Sequence, residues 1–152
     1  MVDISVSAER LDLEVKGTHK FWALRSRLEI PLEHVTGVHA DPDPAMGWFR
    51  GMKIAGTDLP HIFRAGLFWQ DRDKVFWDVR HPKKTIVIEL EDESCAKLIV
   101  EVRDPSAAVE QIRRAIADYQ ASKADAEHEL EEVLRGNLMA PEVETPRIRQ
   151  GT

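Results

Sequence analysis

Four basic side chains gather in the first quarter of the chain: Lys16, Lys20, Arg25 and Arg27. A lysine, eight intervening residues and then Arg-x-Arg is a spacing that a hairpin would bring together. Converging there, the ammonium and guanidinium groups would hold a phosphate or another anion, the arginines in bidentate fashion. The plainer role is structural. Arg25 and Arg27 alternate with apolar residues, so they would also form the water-facing side of a half-buried strand.

Other chemistry-bearing residues are more scattered. His34, His39, Asp41 and Asp43 lie close in sequence, but the two histidines are five apart, on opposite faces of a regular strand. Pro42 and Pro44 also spoil any calcium loop, which needs a glycine at its sixth position. His128 beside Glu127, Glu131 and Glu132 reads as a solvated helix face. Cys95 is the only thiol, which rules out an intrachain disulfide, and the acids of EDESCAK would raise its pKa. Asp78 and His81 in WDVRHP have the types of an orienter and a base, yet no serine has a G-x-S-x-G context. Gly47, Gly51 and Gly56 match neither dinucleotide nor P-loop spacing. No catalytic residue, metal ligand or cofactor is assigned.

The aromatic residues Trp48, Phe49, Phe68, Trp69, Phe76 and Trp77 form a third set. Neighbours on a strand point to opposite faces, so one of Phe68/Trp69 and one of Phe76/Trp77 should point outward. An outward tryptophan marks an interface unless a loop folds over it. Trp48, Phe49, Trp69 and Trp77 are therefore the candidate partner-binding aromatics.

Composition narrows the function classes. The chain has 152 residues, 43% hydrophobic and 32% charged, enough for one core with a surplus for a tail. A net charge of −6 argues against a general nucleic-acid binder, and less strongly against anionic membranes, where a local basic patch suffices. No basic, apolar leader opens the sequence and no apolar run is long enough to span a bilayer, so a cytoplasmic protein is expected.

Period-two alternation dominates the first two thirds. Arg10 to Lys16 places Leu11, Leu13 and Val15 on one face, and Gly17-Thr18-His19 signals a turn. Phe21 to Leu32 alternates again, with Trp22, Leu24, Leu28 and Ile30 together and Pro31 near its end. A short strand from His34 to His39 follows. The stretch from 41 to 60, with three prolines and three glycines, reads as an elaborated loop pinned by its aromatics. Strands resume at Ile62–Gln70, Val75–Arg80, Thr85–Leu90 and Lys97–Val102, joined by short polar links that favour an antiparallel meander.

A helix begins at Asp104, a good N-cap, with Pro105 where its missing N–H costs nothing. Val109, Ile112, Ile116 and Tyr119 recur at three- and four-residue spacing as an apolar stripe that would close the sheet. The same spacing continues through Lys123, Ala126, Leu130 and Val133 without Gly or Pro, and Gly136-Asn137 offers a stop. This predicts one helix of about thirty residues, roughly 45 Å long. The domains expected are 1–120, a helical extension over 121–137 and a tail over 138–152.

VFWDVR (Val75–Arg80), TIVIEL (Thr85–Leu90) and KLIVEVRDPSAAVEQI (Lys97–Ile112) resemble a group of uncharacterised bacterial pleckstrin-homology (PH)-like proteins. RLEIPLEHVTGV (Arg27–Val38) is similar to the second-to-third strand stretch of bacterial PH domains. The resemblance covers roughly positions 9 to 120. It implies a mainly β fold: an antiparallel barrel of about seven strands closed by a C-terminal helix. The long 41–60 segment and the helix extension depart from that pattern. A fold does not carry a function by itself, but this resemblance implies a non-enzymatic binding or assembly module. Leu130, Val133 and Leu134 need an apolar partner, so the leading expectation is a protein-interaction or self-assembly module, a homo-oligomer included. The alternative is a peripheral lipid- or anionic-ligand-binding domain using Lys16, Lys20, Arg25 and Arg27, a set that resembles the phosphoinositide-reading pattern of some PH domains.

Overall fold

In a computed structural model the described residues are 1–16, 27–42, 52–59, 63–70 and 72–138, with the backbone alone for 52–59, 63, 64 and 70. The chain divides into two compact units, Met1–Tyr119 and Gln120–Thr152. The first unit is mainly β.

Strands β1 (Val2–Val6), β2 (Arg10–Val15) and β3 (Arg27–Pro31) form an antiparallel sheet in that order. The alternation of β2 has the expected result, since Leu11, Leu13 and Val15 are buried and the intervening acids are not. β1 is a strand that the sequence reading passed over, although Val2, Ile4 and Val6 alternate within it.

The second sheet contains β4 (Val35–Ala40), β5 (Met52–Leu59), β6 (Phe63–Gln70), β7 (Asp73–Val79), β8 (Thr85–Leu90) and β9 (Lys97–Glu101). Their order is β4-β8-β9-β7-β6-β5. β5 corrects the expectation of a structureless 41–60 loop: Met52–Leu59 is a strand paired with β6. Gly56 and the flanking Pro60 had masked its pattern.

Two corrections concern topology. Among the described residues there are nine strands rather than about seven, and their pairings make two sheets rather than one closed barrel. The meander is also not wholly antiparallel, because β9 lies between β7 and β8 and runs parallel to β7. β7 and β8 are consecutive in sequence but not neighbours in the sheet. This arrangement buries the central strands on both faces. Phe76 faces the large core shared with β1, β2, β3 and the helix, whereas Trp77 belongs to a second cluster with Phe68, Val75, Val79, Val87 and Ile99. Gly66 stands opposite Trp77 with φ 133°, a conformation that favours glycine.

Helix α1 runs without interruption from Pro105 to Leu138. Asp104 caps it as expected, its carboxylate accepting the Ala107 N–H at 3.1 Å, a bond worth about 1 kcal/mol. Ala108, Val109 and Ile112 are buried, and Ala115, Ile116 and Tyr119 pack against the same core. The stop expected at Gly136-Asn137 does not operate; the helix passes through both.

Candidate functional site

From Gln120 to Leu138 every residue of α1 is exposed. Leu130, Val133, Leu134 and Leu138 recur at spacings of three and four, which places them on one face. They are 60%, 61%, 55% and 87% exposed, whereas the other large apolar side chains among the described residues are mostly buried. Glu131 and Arg135 pair at 2.9 Å one turn apart, which supports the helix locally.

The aromatic candidates separate. Trp69, at the end of β6 and level with Lys74 of β7, is 46% exposed. Trp77 is fully buried, so the expectation that it helps form a surface is corrected: its face of the sheet is covered. Phe76 is buried on the opposite face, and neither member of that pair points to water. The signal was present in V-F-W, I-V-I and L-I-V, since uninterrupted apolar runs belong to strands buried on both sides. Trp48 and Phe49 lie outside the described residues.

The basic candidates at the first hairpin are already paired where they are described. Lys16 forms an ion pair with Asp3. Arg27 meets Asp12 at 3.1 Å and Glu29 at 3.4 Å. Lys20 and Arg25 lie outside the described residues. Neighbouring carboxylates thus offset the charge that an anion site would need.

One polar constellation escaped sequence reasoning. Glu101, almost wholly buried at the end of β9, accepts the backbone N–H groups of Arg80 and His81 at 2.8 and 2.9 Å. Its other oxygen lies 2.9 Å from His81 Nδ1. Burial alone would raise the Glu101 pKa, but the His81 side chain and these two N–H groups together bring it below the ordinary carboxylate value. His81 is therefore oriented by Glu101, not by Asp78. The run K-L-I-V-E-V marks a strand but gives its glutamate no role, and only the link before β8 reveals its partners.

A cleft of about 240 Å³ opens between β3 and the second sheet, with Ile30, Leu67, Phe76 and Leu98 among its lining residues. Cys95 stands in it, its thiol pKa raised chiefly by burial, with nearby Glu93 a smaller contribution. Such a thiol is a weak nucleophile. Glu93 is bound to His34 Nδ1 at 2.9 Å, and that bond raises the imidazole pKa. Among the described residues no group of three His, Cys, Asp or Glu side chains could hold a metal ion. No described helix is long and apolar enough to cross a membrane.

Comparison with known proteins finds no family model, no curated protein and no solved structure that matches this chain.

Proposed function

We propose that this chain is a non-enzymatic protein-interaction module, a helix-closed β scaffold of PH-like kind that associates through the end of α1. One observation carries the reading: Leu130, Val133, Leu134 and Leu138 stand together in water on one helix face. Apolar side chains grouped in this way gain most of their hydrophobic free energy only when a second surface covers them. The half-exposed Trp69 is a further contact candidate. The two-sheet architecture and the capping of the core by α1 support the PH-like assignment, and the insertion of β9 departs from an all-antiparallel barrel. Ion pairing of Lys16 and Arg27 gives the anion-binding alternative no positive support.

Light scattering on the full chain tests the proposal. At micromolar concentration the mass should exceed that of a variant carrying Leu130→Ser, Val133→Ser and Leu134→Ser, while circular dichroism shows both to be folded. Equal masses, together with failure of the wild-type helix to retain any protein partner that the variant loses, would remove it.

A further inference from the structure

Sheets end in strands with one unsatisfied side, and proteins usually blunt such edges. Among the described residues four strands are sheet edges, and three of them are blunted. β3 ends on Pro31, which has no N–H. β4 carries a bulge between Val35 and Gly37, and the Val38 carbonyl accepts a bond from the Arg113 guanidinium at 3.0 Å. β5 carries a bulge between Lys53 and Ala55. β1 has none of these devices: its five residues pair with β2 in unbroken register, without proline or lysine.

The hydrogen bonding shows which backbone groups of β1 are not used by β2. Lys16 N–H donates to the Met1 carbonyl at 3.1 Å, and Ser7 N–H donates to the Arg10 carbonyl at 2.9 Å. Antiparallel ladders alternate, so the odd residues Asp3 and Ser5 bond to β2. The N–H and C=O groups of Val2, Ile4 and Val6 point the other way, where among the described residues no strand lies. That side borders a groove of about 380 Å³, lined by Val2, Asp3 and Ile4 and, across it, by Val102, the charged pair Arg103 and Asp104, and Ala107, Ala108 and Gln111 of α1. Alanines there leave room for another backbone.

We infer that β1 is a pairing edge for a second copy of this chain, in antiparallel register about Ile4. This rests on the self-assembly form of the proposed function but assigns a different surface. In that register Val2 faces Val6 of the second copy, Ile4 faces itself, and Asp3 faces Ser5 of the second copy. Every open donor and acceptor on one edge meets its complement on the other, and the only charged residue of β1 faces a hydroxyl rather than another acid. A two-fold axis at Ile4 makes the contact closed and self-limiting. The two three-stranded sheets then join into one of six strands.

The test uses the helix-face triple-serine variant, so that any association through α1 is absent. Its mass should equal two chains, and amide exchange at Ile4 and Val6 should slow as protein concentration rises. Ser5→Asp sets an acid opposite Asp3 twice per dimer and should weaken dimerisation about fivefold at low salt, while Ser5→Lys should tighten it by a similar factor. Ser5 is exposed but stands opposite Asp12 of β2, so circular dichroism and urea unfolding check that both variants keep the wild-type fold. A triple-serine variant with the mass of one chain overturns the β1 inference but leaves the helix reading intact. A mass identical to wild type removes self-association through α1 and passes the helix reading to the partner-retention test. A monomer whose Ile4 amide is protected only by an added synthetic VDISV peptide would assign the edge to extended peptides and also overturn pairing of copies. So would dimerisation indifferent to charge at Ser5.

Discussion

The two halves of helix α1 share one sequence rhythm and have opposite surroundings. Up to Tyr119 the three- and four-residue spacing places Val109 and Ile112 in a core made by two sheets. Beyond Gln120 the same spacing places Leu130 and Val133 in water. The comparison separates two things that periodicity combines: which residues share a face, and whether that face is covered. Spacing settles the first. The second depends on what else the chain folds against it.

Substitutions can break this comparison, and tryptophan offers the largest effect. Trp77→Ala should cost about 4 kcal/mol in urea unfolding, because it empties a closed site, whereas Trp69→Ala should cost under about 0.5 kcal/mol. Comparable losses would mean that Trp69 is part of the fold rather than a surface. Within the helix, Ile112→Ala should cost about 3 kcal/mol. Leu130→Ala should leave the unfolding of a dissociated chain nearly unchanged, since alanine is the better helix former. A large loss at Leu130 under dissociating conditions would show that the end of the helix is already covered.

A smaller effect tests Glu101. Glu101→Gln should cost about 2 kcal/mol at neutral pH, through weakened bonds to two backbone N–H groups and His81. The folded carboxylate has a lowered pKa, so its contribution is complete above the ordinary value of 4.5 and lost as pH falls through the lowered one. Acid unfolding of the variant should therefore lack that part of the wild-type pH slope. An unchanged slope would assign it to other carboxylates.

Much of the fold was legible because local chemistry decided it. Asp104-Pro105 located the helix start, and T-I-V-I-E-L gave β8 with its observed bounds. What escaped was decided at a distance. The place of β9 between β7 and β8 leaves no mark on any one segment, and neither does the partnership of Glu101 with the link before β8. β5 was obscured by its glycine and flanking proline, and β1 by its position in a stretch read only for targeting signals. Of the candidate interaction residues, the exposed apolar turns of α1 were visible as a surplus with nothing left to cover. Trp77 was misjudged because alternation was assumed to mean one wet face.

The insertion of β9 has a kinetic consequence. β7 and β8 are joined by only five residues, Arg80 to Lys84, and their strands lie about 10 Å apart, twice the spacing of neighbours. During folding these two strands can pair directly as a simple hairpin, a local arrangement that forms sooner than one requiring a third strand. β9 must then displace that pairing to reach its place. Once there, its terminal Glu101 takes the N–H groups of Arg80 and His81, both in the link that arches past it. The buried carboxylate thus works as a latch on the order of the strands.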